Sequence, residues 1–171
     1  MDINSTSPRH AEHPVDVDAI DLLTADHRLV RGWFAQIDQA RQASLAADRH
    51  RKGELIEQLC TELEIHTRIE EEIFYPAVRA AFQESEDEMI DHAIHEHQEA
   101  KDIMQKLRGL PAEDPRADEL VDALRKAVEH HLHEEEERMF TEARSRIDGM
   151  AVGRQLAQQK RALSEQMIGK C

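Results

Sequence analysis

Residues 54–82 read ELIEQLCTELEIHTRIEEEIFYPAVRAAF. Leu55, Ile56, Leu59, Leu63, His66, Glu70, Phe74 and Ala77 recur there at steps of three and four, the spacing of one helix face. A histidine and a glutamate thus stand one turn apart on the stripe that a helix would bury. Shifted by 65 places, Leu55, Ile56, Leu59, Leu63, His66 and Glu70 fall on Leu120, Val121, Leu124, Val128, His131 and Glu135. The chain therefore carries the same amphipathic His-x-x-x-Glu segment twice. Pro76, with no amide hydrogen and a ring that crowds the carbonyl of Glu72, is expected to kink the first copy near its end.

The flanking segments keep the helical period. One runs from about Val17 to Ala43, with Ile20, Leu23, His27, Val30, Phe34 and Ile37 on its stripe; the polar stretch from Ala47 to Gly53 reads as the break after it. Another opens on Ser85-Glu86-Asp87-Glu88, in the form of a capping box, and runs to about Arg108. Its stripe is Ile90, Ile94, His97, Met104 and Leu107, with Ala93 and Ala100 flanking. Gly109-Leu110-Pro111 ends it. Asp114-Pro115 then opens the second His-x-x-x-Glu segment, which reads to about Ile147. Four long helices with short connections imply an all-α, antiparallel up-down four-helix bundle over residues 16–148. Residues 1–15 read as a flexible arm. Residues 149–171 read as a short tail or fifth helix, punctuated by Gly149 and Gly153 and helical from Gln155 to Ile168.

Composition narrows the function. The 171 residues carry a net charge of -14, which opposes nucleic-acid binding because phosphates need a clustered basic face. No apolar run approaches the roughly 20 residues that span a bilayer, so no membrane partner is expected. The polar start, MDINSTSPRHAEHPVD, lacks the apolar core of a signal peptide. Cys60 and Cys171 lie far apart and form no CxxC, so a reducing cytoplasm is the expected location. The acidic surface is compatible with a monomer or a homodimer.

Eleven histidines remain to be placed. His27 lies between Leu23 and Val30, His66 follows Leu63, and His97 steps back to Ile90, so all three face inward. The stretch from Glu129 to Glu137 allows three registers; 131/135 follows Leu124 and Val128, whereas 130/134 and 133/137 follow polar residues. The 65-residue repeat selects the same register. His10, His13, His50, His92, His95, His130 and His133 are left for the surface, together with most of the Glu70–Glu72 and Glu134–Glu137 runs. His27, His66, Glu70, His97, His131 and Glu135 thus converge on one interior. Two buried carboxylates facing four imidazoles would be costly to desolvate without a cation. They exceed the needs of one tetrahedral zinc and suit two ions bridged by both glutamates. Imidazole with carboxylate favours iron over manganese or zinc, with open positions for a small diatomic or peroxide ligand. Glu-x-x-His, HExxH and glycine-rich phosphate loops are absent.

Asp26-His27, His66-x-x-x-Glu70-Glu71 with Tyr75-Pro76 after it, Glu96-His97, and His131-x-x-x-Glu135-Glu136 with Met139-Phe140 after it together resemble the hemerythrin-like, HHE-type cation-binding family, over about Ala19 to Ile147. The resemblance implies an up-down bundle with a non-haem diiron centre, oxo- or hydroxo-bridged. It also implies chemistry with dioxygen, peroxide or nitric oxide in oxidative or nitrosative stress, the family spanning oxygen or redox sensing and iron storage as well. The chain departs from the oxygen-carrying hemerythrins at Ala93, where those have a further third-helix histidine, and at Glu135, where their bridging aspartate is spaced differently. These departures disfavour reversible oxygen storage and favour reaction with the ligand. No catalytic residue is assigned. Asp26 reads either as an outer support for His27 or a neighbouring imidazole, or as a solvated acid. Tyr75, one residue past Phe74, reads as a packing residue, Trp33 as cover for a helix junction or interface, and Cys60 as a small buried apolar group.

Overall fold

The computed structural model describes residues 16–42, 46–82 and 87–168. The arm at 1–15 and the serine of the capping box lie outside the described residues. Among those described, every regular element is helical. Helix α1 (Ala19–Gln42) is the first rod of the bundle. The second rod is α2 (Ala46–Ile69), a π-helical turn (Glu70–Phe74) and α3 (Tyr75–Ala81) in unbroken succession. Helix α4 (Asp87–Arg108) is the third. The fourth repeats the second: α5 (Pro115–Glu134), a π-helical turn (Glu135–Met139) and α6 (Phe140–Ala143). A final helix, α7 (Gly149–Ile168), packs on α1 and α2.

Three helix starts are set by aspartates. Asp18 Oδ1 accepts from the Ile20 amide at 2.9 Å, and Asp114 Oδ1 from the Arg116 amide at 2.9 Å, with Pro115 at the first helical position. Asp148 Oδ1 takes the Ala151 amide at 2.9 Å, so α7 begins six residues before the expected Gln155. Gly149 and Gly153 therefore do not punctuate a tail. A Cβ on Gly153 would lie 1.9 Å from the Val17 carbonyl oxygen, so the glycine lets α7 approach the backbone that enters α1. Val152, Leu156 and Leu163 of α7 are buried.

Three further expectations need correction. The stretch from Ala47 to Gly53 is helical, because α2 starts at Ala46. On α4, Ala93 is buried and Ile94 is 39% exposed: stepping back four and seven from His97 reaches Ala93 and Ile90, and Ile94 falls off that line. The fourth rod stops at Ala143, short of Ile147.

The core has two apolar parts. Val30, Phe34, Ile37, Leu59, Leu63, Met104, Leu124 and Val128 belong to one; Leu23, Ile65, Ile69, Phe74, Ile90, Met139 and Phe140 belong to the other. Each fully buried Leu, Ile or Phe contributes roughly 1.5–3 kcal/mol of transfer free energy. Between the two parts, every rod contributes polar side chains instead.

Candidate metal centre

His27, His66, His97 and His131 are buried, as are Glu70 and Glu135. His27 Nε2 is 3.4 Å from Glu135 Oε2, and His131 Nε2 is 3.4 Å from the same oxygen. His66 Nε2 is 3.3 Å from Glu70 Oε1, and His97 Nε2 is 3.3 Å from Glu70 Oε2. The donors fall into two groups that share Glu70: His27, His66, Glu70 and Glu135, and Glu70, His97 and His131, each within a 4.8 Å span. Such separations are too long for good hydrogen bonds. They match the edge of about 3.4 Å between two donors held some 2.1 Å from one tetrahedrally bound ion.

The outer nitrogens are held by acids. Glu136 Oε1 stands 2.8 Å from His27 Nδ1, Glu71 Oε1 2.8 Å from His97 Nδ1, and Glu96 Oε2 3.0 Å from His131 Nδ1. An ionised carboxylate only accepts, so each Nδ1 carries the hydrogen, and the Nε2 of each neutral ring is left to offer its lone pair inward. The acids are tethered in turn: Arg31 donates to Glu136 at 2.8 Å, and Lys101 donates to Glu71. Asp26, buried and paired with Lys160 of α7, has Oδ2 3.8 Å from His66 Nδ1. The arrangement is pseudo-twofold, with Asp26, His27 and Arg31 corresponding to Glu96, His97 and Lys101, and Glu70–Glu71 to Glu135–Glu136. Glu71 and Glu136, expected on solvated faces, instead hold two of the imidazoles. The 65-residue repeat, which pairs them, was the available signal.

Tyr75 is not merely a packing residue. Its hydroxyl donates to Glu135 Oε1 at 2.8 Å and lies 3.2 Å from His97 Nε2. In an unbroken α-helix, five residues would carry Tyr75 about 140° away from Glu70. The π-helical turn closes instead from the Tyr75 amide to the Glu70 carbonyl, returning the ring to the face that carries His66 and Glu70. The second π-helical turn does the same for Phe140, whose ring stacks on His27 at 5.3 Å as Tyr75 stacks on His97 at 5.5 Å.

The electrostatics without a cation are strained. Burial pushes the His66 imidazole down to about 4, so it is neutral at neutral pH. Burial and the Glu135 charge beside it push Glu70 well above the usual carboxylate range. Burial acts the same way on Glu135, but His131 and His27 outweigh it and hold that carboxyl low. Burial and the neighbouring glutamates raise Tyr75, which keeps its proton. His97 Nε2 and His131 Nε2 face each other at 3.0 Å, tolerable only with a proton or a cation between them. His27 Nε2, His66 Nε2, both oxygens of Glu70 and Glu135 Oε2 are buried without hydrogen-bond partners. Burying an uncompensated carboxylate costs several kcal/mol, and a multivalent cation would satisfy all five atoms together.

Access is narrow. A pocket of about 10 Å³, room for about one water molecule, is lined by Met89, Ala93, Glu96, His131, Glu134, Glu135, Arg138 and Met139. Among the described residues no helix is long and apolar enough to cross a membrane.

A four-rod helical bundle with a buried layer of imidazoles and carboxylates defines a cation-binding protein of the hemerythrin type. Residues 18–143 match the family described as Hemerythrin HHE cation binding domain, and the chain belongs to that family. It is 29% identical over 124 residues to the uncharacterized protein Rv2633c of Mycobacterium tuberculosis, which covers 72% of this chain and 71% of that one. It is 24% identical over 132 residues to a DNA nickase of Nostoc sp., the match covering 77% of this chain and 35% of the nickase, so this chain spans about a third of that protein. The crystal structure of a Hemerythrin HHE cation binding domain-containing protein, the Rv2633c homolog from Mycobacterium kansasii, superposes with a TM-score of 0.71 at 23% identity, covering 90% of this chain and 91% of that one.

Proposed function

We propose that the centre holds two iron ions, the first by His27 and His66, the second by His97 and His131, with Glu70 and Glu135 shared, and that it binds and reacts with a small ligand such as dioxygen, peroxide or nitric oxide. The supporting observation is the set of five buried donor atoms that no protein group satisfies. Bound there, a pair of irons would supply open coordination positions and one-electron redox steps.

The chain's own residues set the conditions for that chemistry. Glu71, Glu136 and Glu96 fix the imidazole tautomers and leave the inner nitrogens basic. The two apolar parts of the core keep bulk water from the site, and the pocket beside Ala93 has room for about one water molecule. Tyr75 keeps a proton at its hydroxyl, hydrogen-bonded to Glu135, within the site.

The test is stopped-flow addition of hydrogen peroxide, and separately nitric oxide, to the reduced iron-loaded protein. Reaction is expected as an optical change within seconds, altered in rate by Tyr75→Phe. An unchanged spectrum with both reagents would rule out ligand reactivity.

A second reading, a redox sensor, is favoured by one contact: Lys160 of α7 pairs with Asp26, which faces His66. It requires that the oxidation state alter α7. Limited proteolysis after residue 148 should then differ between reduced and oxidised protein, and identical digestion patterns would remove this reading.

A further inference from the structure

Glu96 has two faces. Its Oε2 is committed to His131, while its Oε1 turns outward to a group of side chains on α4 and α5. His92 stands one turn before Glu96 on α4, and His130 one turn before Glu134 on α5. His92 Nε2 is 3.5 Å from Glu96 Oε1 and 3.6 Å from Glu134 Oε2. His130 Nε2 is 3.4 Å from Glu96 Oε1 and 3.7 Å from Glu134 Oε1. Each imidazole thus meets one carboxylate of its own helix and one across the groove, and the four donors lie within 4.8 Å of one another.

The spacing within one helix is uninformative by itself. His95 with Glu99 at 3.5 Å and His133 with Glu137 at 3.6 Å show the same one-turn separation. Among the described residues neither of those pairs gains a third donor. His92, Glu96, His130 and Glu134 form a closed square from two helices, with every side longer than a good hydrogen bond and close to the edge of about 3.4 Å around a tetrahedral ion. Glu96 is itself 8% exposed and pinned by His131, so one corner is held in place before any ligand arrives. Glu96 and Glu134 also line the pocket that leads to His131 and Glu135.

The geometry points to a further divalent transition-metal site, made by His92, Glu96, His130 and Glu134, at the mouth of that pocket and joined to the buried centre through the Glu96 carboxylate. Two imidazoles and two carboxylates suit Zn(II) or Fe(II), and the exposed side leaves room for water ligands. The site does not depend on which ion the buried centre holds.

Isothermal titration of zinc chloride into the purified protein, its buried centre filled beforehand, tests this. The wild type should take up one more zinc per chain than a His92→Ala/His130→Ala variant. Glu134→Gln should weaken that zinc at least tenfold. Both histidines are more than half exposed. The variant should therefore keep its circular dichroism and the metal of its buried centre. Equal zinc uptake by wild type and variant would overturn the proposal, as would loss of the buried metal along with the extra zinc, because the sites would then not be separate. The readout is a difference between two proteins, so it stands even if the buried centre proves not to hold iron.

Discussion

Replacing Glu70 by glutamine should change protein stability in opposite directions with and without metal. Glu70 is fully buried, and neither carboxylate oxygen has a hydrogen-bond partner. In the metal-free protein, burial and the Glu135 charge raise its pKa well above the ordinary 4.5. Between 4.5 and that raised value, the folded chain holds a proton that the unfolded chain releases. Wild-type stability therefore falls by about 1.4 kcal/mol for each pH unit of rise across that window. Glutamine keeps the volume and has no proton to lose. Metal-free Glu70→Gln should match the wild type near pH 4.5 and exceed it by about 1.4 kcal/mol for each pH unit above that, up to the folded pKa. For a chain of this length that is roughly 3–6 °C in melting temperature per pH unit. With metal bound, the amide replaces a charged shared ligand, and the variant should lose about 3–5 kcal/mol, the cost of removing one partner from a buried charge pair. Melting curves by circular dichroism from pH 5 to 8, with chelator and with iron, read both signs. A variant less stable than the wild type by equal amounts in both states at pH 7 would show that protein groups, and not a cation, satisfy Glu70.

Tyr75→Phe removes the 2.8 Å donor to Glu135 and should lower metal-free stability by about 1–3 kcal/mol in urea unfolding; an unmoved midpoint would mean that the hydroxyl contributes nothing there. Glu71→Gln and Glu136→Gln each weaken the hold on one histidine Nδ1. Each should lower metal affinity about 10–100-fold in chelator competition while the fold persists. Gly153→Ala gains about 1 kcal/mol of helix propensity but sets a Cβ 1.9 Å from the Val17 carbonyl oxygen, whose backbone has little room to yield. The overpacking, typically about 1–3 kcal/mol, should win, and the urea midpoint should fall; a rise would mean that α7 does not seat against the entry to α1.

The rods were legible because their apolar stripes hold the 3.6-residue period, and the inward histidines lay on those stripes. Periodicity failed where it was locally interrupted. Tyr75 comes into the centre only because the π-helical turn at Glu70–Phe74 resets the phase, and no count in steps of three and four anticipates that. Glu71, Glu96 and Glu136 point neither inward nor fully outward. They sit at rod edges and reach a histidine on the neighbouring rod, a relation between helices that a single-helix reading does not contain. Helix α7 was underestimated because its apolar stripe is sparse, and its seating depends on Gly153 giving way to backbone. Ile94 misled for the opposite reason: an apolar residue three steps from His97 looked like core and is 39% exposed.

Diffraction from crystals of the iron-loaded protein, collected on both sides of the iron absorption edge, locates the metal itself. Two anomalous peaks are expected in the layer between the apolar halves, one among His27, His66, Glu70 and Glu135 and the other among Glu70, His97 and His131. A map with no iron peak in that layer, or with its only peak at the protein surface, would contradict the diiron assignment.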